Sequence, residues 1–548
     1  MTHKQLIKRF SHFKLLLKSI FLIIMKIIFL LNVLTIFYNS YAHECIHHRI
    51  VKSIGKIDKN DPKAFFPKIE ENTSNQRRLE ENTWRRINIK FDTSLVENIS
   101  DDFKTYIINV ALPIVREKFE SFTYVQGSNS IRPFSSTLCD NFFRVPNSYS
   151  QNPTDADLLI FVNIIDERSN FLAFATACRF EPNFNRPVVG LISINKTHLK
   201  ISAPELQSFV SVLTHEAFHI LILSPSLYDI YNTTQQAYTK KTKTTSIGTS
   251  TIYKLTSPKL LAAAQEQFGC DSLEGVHLEN EGSSASAGAH FEKSHMGNEL
   301  MTSQLTGFPV LSKLTLSLME DSGWYKVDYD KAQHLAFGYK GGCGFILTEC
   351  GNGDGEFCTT KGAISCSKDY ISKTQCSENT FSDGCLINEY ISRYVCINQY
   401  NFASTANYEE NGPMSRCFIT ERRNDLAASC FISTCEDGKV IIQIEETSVE
   451  CTTSGEVIEY KDTKITCPDI SDFCNKLANA CPNDCNGYGT CLVDGTCRCD
   501  YFHEGTDCST YTGCQADADT ICAALESSNS TNILQTAIGL MAIMLLKM

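Results

Sequence analysis

The chain has 548 residues, of which 43 % are hydrophobic and 20 % are charged, a composition typical of ordinary globular domains. This length is sufficient for two or more domains with their own cores. The formal net charge of −12 at pH 7 argues against nucleic acid as the main partner, since phosphate binding needs a basic surface.

The N-terminus has the features of a secretory signal peptide. Lysine and arginine residues precede an apolar run at residues 27–37, and a small-residue cleavage motif ends at Ala42. We therefore predict a signal peptide over residues 1–42 and entry into the secretory pathway. The alternative is an uncleaved membrane anchor, since residues 19–38 are nearly long enough to span a bilayer.

Residues 43–86 are polar and charged and lack long apolar runs. This pattern predicts a propeptide rather than a folded domain. Two basic pairs, Arg77-Arg78 and Arg85-Arg86, are candidate processing sites within it.

Residues 87–335 show the pattern of an α+β domain. Short apolar runs rich in β-branched residues predict strands at residues 158–165 and 188–194. A helix is predicted to begin near Pro204, because proline is well tolerated in a first helical turn. This helix is expected to continue through His215 and to pack its apolar face against the sheet.

The predicted helix contains an H-E-x-x-H motif formed by His215, Glu216 and His219. Residues four apart share one helix face, so both imidazoles can point at a single Zn²⁺ ion. Glu216 is placed to act as the general base of a metallopeptidase. The alternative is a solvated helix face that binds no metal. A catalytic zinc also needs a third protein ligand and an open position for water.

The residues that directly follow His219 do not supply this third ligand. The metzincin pattern would have glycine at position 222 and histidine at position 225, but this chain has Ile222 and Pro225. The third ligand must therefore come from elsewhere. Because a β-branched residue is poorly suited to positive φ, either the turn after the helix is built differently or the site is distorted.

Several further segments resemble the leishmanolysin family of metzincin metallopeptidases. The most specific is the stretch that ends in His290-Phe-Glu, which is followed closely by Asn298-Glu-Leu-Met301. The likeness extends over roughly residues 43–480. The other matching segments are residues 171–178, 186–190, 321–325 and 341–345.

The resemblance implies a metzincin-type catalytic domain in which a mixed sheet packs against the H-E-x-x-H helix. It implies that one Zn²⁺ ion is held by His215, His219 and His290. Two other histidines, His277 and His295, lie near His290 in the sequence and are alternative third ligands.

The resemblance also implies a zinc endopeptidase that acts on protein and peptide substrates. Glu216 would be its catalytic base, and Met301 would form the Met-turn beneath the metal without binding it. The alternative is a catalytically degenerate surface protein that serves in adhesion or binding. Ile222 is the feature that favours this second function.

Cys45 matches a propeptide cysteine that, in the leishmanolysin family, is thought to keep the zymogen latent by binding zinc. Without Cys45, 24 of the 25 cysteines remain, an even number that can pair fully. The alternative is that Cys45 is an incidental thiol.

Cysteines are also frequent in the C-terminal part of the chain. Residues 336–478 are predicted to form a disulfide-rich, loop-rich domain, which indicates an oxidising compartment. Residues 479–510 have tighter spacings that resemble an EGF-like module. This resemblance implies three disulfides, which are Cys481–Cys491, Cys485–Cys497 and Cys499–Cys508.

The chain ends with an apolar run at residues 533–546, which is too short for a comfortable membrane span. Small residues precede this run, so residues 523–548 are predicted to be a GPI-anchor signal. The alternative is a hydrophobic tail that forms a short buried helix. We expect a protein that is secreted or held at the outer cell surface by a lipid anchor. No oligomeric state is predicted.

Two surface features complete the expectations. Residues 232–251 are rich in threonine, serine and lysine and are expected to form an exposed loop. Candidate glycosylation sites in N-x-Ser/Thr sequons include Asn72, Asn98, Asn195 and Asn232.

Overall fold

A computed structural model describes His43–Glu44 and residues 83–511, with short gaps. The signal peptide, Cys45, most of the propeptide, Cys481 and the tail at 523–548 lie outside the described residues. None of the described helices has the length and apolar character that a membrane crossing requires. The gaps are at residues 128, 139–142, 169–170, 182, 202, 234–236, 246–247, 281–287, 306–307, 349, 351–354, 379–380, 399–400, 402, 405–406, 423–424, 479–484, 486–488, 492–496 and 500–502.

A four-stranded mixed sheet lies at the centre of the first domain. Its strands are β1 (Ile89–Leu95), β2 (Leu158–Ile165), β3 (Ala173–Phe180) and β4 (Pro187–Asn195), in the spatial order β3-β4-β2-β1. Strands β1, β2 and β4 are parallel, and β3 lies antiparallel to β4 at one edge. The strands predicted from the apolar, β-branched runs are thus present, and the α+β class is confirmed.

A continuous helical segment packs against β1. It begins as Asp101–Thr105, continues as the π-helical Tyr106–Ala111 and ends as helix α1 (Leu112–Phe122). The hydroxyl of Ser100 accepts a hydrogen bond from the backbone N–H of Phe103 and caps its start. Most apolar side chains of this segment are buried, and Phe103, Ile108 and Ile114 are partly buried against the same core.

Helix α2 (Ala203–Leu221) packs against β3 and β4 and carries the H-E-x-x-H motif. Its approach to the sheet is close, because a Cβ atom added to Gly190 would lie 2.7 Å from Cγ2 of Ile220. On its other side, the ring of Phe218 lies 4.9 Å from the ring of Phe119 in α1. The motif-bearing helix is therefore clamped between the sheet and α1.

The insertion between α2 and His290 contains strands where a loop was expected. Strand β5 (Tyr238–Thr245) pairs antiparallel with β6 (Gly248–Leu255), and β6 pairs with β7 (Val276–His277). The prediction of a loop over residues 232–251 is wrong for most of that segment. Threonine, isoleucine and tyrosine favour extended strands, and this preference outweighs the polar composition of the segment.

Three further helices complete the first domain. The carboxylate of Asp321 accepts hydrogen bonds from the backbone N–H groups of Lys259 and Leu260, at 3.1 and 2.8 Å. It thereby caps the first of these helices from the end of the last one. The helices are α3 (Pro258–Phe268), α4 (Lys293–Met296) and α5 (Lys313–Asp321).

Arg85 joins the beginning of the described range 83–511 to the first domain. Arg85–Arg86 forms a short strand against Thr123–Val125. The guanidinium of Arg85 donates to both carboxylate oxygens of the buried Asp157, each at 2.6 Å. This basic pair is therefore built into the fold, while Arg77-Arg78 lies outside the described residues.

The C-terminal region is disulfide-rich, as predicted, and its cysteines also staple a six-stranded antiparallel sheet. The strands of this sheet are Ser415–Arg422, Asp425–Glu436, Lys439–Ile444, Thr447–Cys451, Val457–Tyr460 and Thr463–Thr466. A three-stranded sheet precedes it, formed by Ile364–Cys366, Ser372–Ser377 and Ile387–Val395. Helix α6 (Gly342–Ile346) precedes these two sheets in the chain, and helix α7 (Ile470–Ala478) follows them.

Nine disulfides lie within the described residues, and seven of them precede residue 479. Two of the three pairs implied by the EGF-like spacing, Cys485–Cys497 and Cys499–Cys508, are present. The module itself stays a prediction, because Cys481 lies outside the described residues. The seven disulfides that precede residue 479 are Cys270–Cys343, Cys350–Cys385, Cys358–Cys376, Cys366–Cys417, Cys396–Cys430, Cys435–Cys474 and Cys451–Cys467.

The remaining elements are short. The strands are His43–Glu44, Ser130–Ile131, Thr137–Leu138, Phe143–Arg144, Thr154–Asp155, Gln304–Leu305, Tyr325–Val327, Gly489–Cys491, Cys497–Cys499, His503–Glu504 and Thr510–Tyr511. The 3-10 turns are Asn147–Ser150, Lys196–His198, Tyr228–Ile230 and Tyr329–Lys331.

Candidate metal centre

Three imidazoles from two distant parts of the chain meet inside the first domain. The Nε2 atom of His219 lies 3.0 Å from Nε2 of His215 and 3.2 Å from Nε2 of His290. All three side chains are fully buried. Histidine nitrogens that converge in this way form a donor set that suits Zn²⁺, which binds three imidazoles readily.

The first two imidazoles are oriented through their other ring nitrogen. Nδ1 of His215 lies 2.7 Å from the carbonyl oxygen of Leu300, and Nδ1 of His219 lies 2.7 Å from that of Leu223. Because a carbonyl can only accept, each Nδ1 carries the proton. Each Nε2 then presents its lone pair to the centre of the cluster.

The segment that carries His290 is anchored on both sides. The backbone carbonyl of His290 accepts from the N–H of Glu279 at 2.8 Å. Its neighbour Phe291 donates its N–H to the carbonyl of Met301 at 2.9 Å and forms isolated bridges with Leu278 and Thr302. This irregular ladder holds the third imidazole opposite α2.

Glu216 lies on α2 between the two helical histidines, and its carboxyl group is fully buried. Positions 216 and 219 are three apart and therefore share a helix face. The helix thus brings an ionisable oxygen group and two imidazoles into one buried region, as the H-E-x-x-H spacing predicts.

Met301 is fully buried in the turn that also supplies the Leu300 carbonyl. The carboxylate of Glu299 holds this turn, since it accepts a hydrogen bond from the N–H of Met301. It also accepts from the hydroxyl of Ser312 at 2.8 Å and from the hydroxyl of Thr315 at 2.6 Å. Burial raises the pKa of Glu299 to about 7, although its hydrogen bonds act in the opposite direction.

Glu292, two residues after His290, is a further buried carboxyl group. Burial, and then repulsion by the carboxylates of Glu279 and Asp383, raises the pKa of Glu292 well above its ordinary value. Asn280 donates to Glu292 at 2.8 Å and to Asp383 at 3.3 Å. Because Asp383 belongs to the Cys-rich region, these contacts tie that region to the segment that carries His290.

The turn after α2 accommodates Ile222 without a left-handed residue. Ile222 is not among the described residues with positive φ. The N–H groups of Ile222 and Leu223 both donate to the carbonyl of Phe218, at 2.8 and 3.0 Å. Of the two outcomes expected for Ile222, the structure therefore shows a turn that is built differently, and this turn presents the Leu223 carbonyl to His219.

The alternative third ligands lie elsewhere. The rings of His277 and His295 pack against each other with centroids 5.2 Å apart, outside the cluster of three imidazoles. Cys485, Cys497 and Cys508 also lie close together, but they are committed to disulfides and do not offer thiolates.

Sequence reasoning missed the groups that hold the imidazoles in place. The carbonyls of Leu223 and Leu300 have no side-chain signal, so no motif could reveal them. Glu299 lies within the segment Asn298-Glu-Leu-Met301, but its role depends on the hydroxyls of Ser312 and Thr315, which are distant in the sequence. An acidic residue directly before a Met-turn is the one signal that could have drawn attention to it.

Comparison with known proteins gives one family. The leishmanolysin family model matches residues 79–391, which is more than half of the chain. A leishmanolysin-like peptidase of Caenorhabditis elegans is 29 % identical over 36 % of this chain and 35 % of its own length. One of Drosophila pseudoobscura pseudoobscura is 30 % identical over 36 % of this chain and 34 % of its own.

Leishmanolysin of Leishmania tropica is also similar, with 26 % identity over 47 % of this chain and 37 % of its own length. The matched region thus spans little more than a third of each of these relatives.

Proposed function

This chain belongs to the leishmanolysin family of zinc metallopeptidases, and we propose that it is a zinc-dependent endopeptidase that hydrolyses peptide bonds within proteins. One observation carries the proposal. The Nε2 atom of His219 lies 3.0 Å from Nε2 of His215 and 3.2 Å from Nε2 of His290, and all three side chains are buried.

The residues present fit a zinc ion. The carbonyls of Leu300 and Leu223 fix the Nδ1 protons of two imidazoles, so their Nε2 lone pairs are available to a metal. With His290, this makes three protein ligands, which is the number that leaves a coordination position open in catalytic zinc sites. Met301 would support the site from the turn that carries Leu300.

When bound, a zinc ion would act as a Lewis acid, lowering the pKa of a water molecule and polarising the substrate carbonyl. Glu216 would take the proton from the attacking water and pass it to the nitrogen of the leaving amine. Its carboxyl group is buried on the helix that also carries His215 and His219.

The proposal is tested by the Glu216→Gln variant, assayed on a casein substrate together with its zinc content. We expect a loss of kcat of about 10²–10⁴-fold, because proton transfer by a positioned base contributes that much. Zinc content should stay at the wild-type level. Glu205→Gln, on the same helix but far from the histidines, is the matched control and should retain full activity.

Two results would contradict the proposal. One is an E216Q variant that keeps wild-type kcat. The other is wild-type hydrolysis that continues after a chelator has removed the metal and is unchanged when zinc is restored.

We also propose that Cys45 holds the unprocessed protein latent. Backbone pairing supports this, because His43–Glu44 runs antiparallel to Gln304–Leu305, close after Met301 in the sequence. Cys45 directly follows the paired segment but lies outside the described residues. Cys45→Ser should make the unprocessed protein active without proteolytic activation, whereas an inactive unprocessed variant would exclude this switch.

We further propose that the protein is exported and acts outside the cell or at its surface. The nine disulfides of the described residues support export, since such bonds persist in oxidising compartments. A lipid anchor rests on the apolar tail alone. Release of the protein from intact cells by a GPI-specific phospholipase would test it.

The competing function, a degenerate adhesion protein, depended on Ile222. The turn after α2 accepts Ile222 at a φ that is not positive and still directs the Leu223 carbonyl to His219. Ile222 therefore does not favour loss of activity.

A further inference from the structure

A short segment that follows α2 carries two buried tyrosines three positions apart. Tyr228 lies in the 3-10 turn Tyr228–Ile230, and Tyr231 comes directly after it. Their rings meet edge to face with centroids 5.8 Å apart. The ring of Trp324 lies edge to face against Tyr231, with centroids 5.1 Å apart, and secures the pair from the other side.

Tyr231 holds the turn that orients the second imidazole. Its hydroxyl donates to the carbonyl oxygen of Ile222 at 2.7 Å. The next carbonyl along the chain, that of Leu223, accepts from Nδ1 of His219. A glycine in the left-handed conformation is the usual way to close a helix end. Here the Ile222 carbonyl accepts instead from the Tyr231 hydroxyl and from the N–H of Ser224, the latter at 3.1 Å.

Tyr228 holds the segment that carries the third imidazole. Its hydroxyl donates to the carbonyl oxygen of Gly288 at 2.6 Å, two residues before His290. Gly288 has φ +86°, and its N–H donates to the carbonyl of Glu279 at 3.0 Å. The Tyr228 hydrogen bond therefore fixes a residue whose backbone is already tightly constrained.

We propose that Tyr228 and Tyr231 are positioning residues of the metal centre, and that together they set the distance between His219 and His290. The inference rests on the proposed zinc site and extends it. The two imidazoles are 71 residues apart in the chain, yet one segment of four residues binds the backbone next to each of them.

The chemistry of the two hydroxyls suits this role. Burial raises the pKa of Tyr228 and of Tyr231 well above the ordinary value, so both groups keep the proton that they donate. Each hydrogen bond ends on a backbone carbonyl, so the position of the acceptor does not depend on a side-chain rotamer. Loss of either hydroxyl would free one imidazole-bearing segment while the aromatic packing remains.

The test compares Tyr228→Phe and Tyr231→Phe with the wild-type protein. The dissociation constant for Zn²⁺ is measured by competition with a chromophoric chelator, and the Tm of each metal-free protein is measured in parallel. We expect each variant to weaken zinc binding about tenfold, since groups that orient metal ligands typically contribute 10- to 100-fold. The absorption spectrum of the Co²⁺-loaded variants should also change, because the geometry around the metal changes.

Tyr106→Phe is the matched control. Tyr106 is fully buried and its ring stacks on Phe209 of α2 with centroids 5.6 Å apart, but its hydroxyl has no hydrogen-bond partner within the described residues. This variant removes the same atom from the same core and should bind zinc within twofold of the wild type.

Three outcomes would overturn the proposal. The first is zinc affinity within twofold of the wild type in folded Y228F and Y231F proteins. The second is an equal loss in Y106F, which would indicate a general effect of core substitution. The third is a lower Tm without a change in affinity. If one variant does not fold, the zinc affinity of the other still tests the proposal. A wild-type protein that binds no zinc would instead refute the proposed function.

Discussion

The Nε2 atoms of His219 and His290 lie 3.2 Å apart, although 71 residues separate these histidines in the chain. Between them lie the β5–β6 hairpin and α3, which are larger than a simple turn. The contact therefore depends on anchors at both ends of the insertion. Those anchors are the turn at Ile222 and the backbone hydrogen bond between Glu279 and His290.

Replacing Ile222 by the glycine of the metzincin pattern should harm the protein. Ile222 is fully buried and its φ is not positive, so glycine would relieve no strain and would leave a cavity. We expect Ile222→Gly to lower the free energy of unfolding by about 3–5 kcal/mol, as measured by urea denaturation. Ile222→Val should lower it by only about 1 kcal/mol. An I222G protein that is as stable as the wild type and more active would contradict this description of the turn.

Glu299 should make stability depend on pH. Its folded pKa of about 7 lies above the ordinary value of 4.5, so the folded state holds a proton that the unfolded state loses first. This contribution to stability is complete below pH 4.5 and is lost as the pH rises through 7.

The pH effect is measured against Glu299→Gln, which cannot titrate. From pH 4.5 to 8, the stability of the wild type relative to E299Q should fall by about 3 kcal/mol, since one pKa unit corresponds to about 1.4 kcal/mol. Urea denaturation at both pH values, with saturating zinc, gives this difference. A constant difference between the two proteins would show that Glu299 does not titrate in this range.

The sequon at Asn195 should carry no glycan in the folded protein. The side chain of Asn195 is fully buried, and its Nδ2 donates to the carbonyls of Glu167 and Phe171 at 2.9 and 3.1 Å. A glycan would remove one of these hydrogens and could not be accommodated. Asn98 and Asn232 are exposed and offer room for one.

Mass spectrometry of the protein after enzymatic deglycosylation locates the modified asparagines. We expect the mass change of deglycosylation at Asn98 or Asn232 and none at Asn195, in a host that glycosylates secreted proteins. Asn195→Gln should in addition lower the stability by about 1–3 kcal/mol, since backbone groups lose their partners. A soluble protein with a glycan on Asn195 would contradict the arrangement around this residue.

Features that depend on local spacing could be predicted from the sequence. The run at 158–165 and the strand at that position have the same bounds, because a short apolar, β-branched run encodes its own conformation. His215 and His219 share a helix face for the same reason, since their spacing is itself the geometric information.

Features that depend on distant backbone atoms could not be predicted. His290 was proposed only from a family resemblance, because no local pattern links it to α2. The hydroxyls of Tyr228 and Tyr231 bind carbonyls, and a carbonyl is common to every residue. The polar composition of the β5–β6 hairpin predicts a loop, but the extended preference of its threonines gives paired strands.

The zinc content of a His290 variant tests the metal centre most directly. Wild-type protein, His290→Ala and His277→Ala would be purified, equilibrated with a limited excess of zinc and analysed by plasma mass spectrometry. We predict one zinc ion per chain in the wild type and in H277A, and a large loss in H290A, because His290, unlike His277, places its Nε2 beside that of His219. Full zinc content in H290A, or its loss in H277A, would contradict the three-histidine centre.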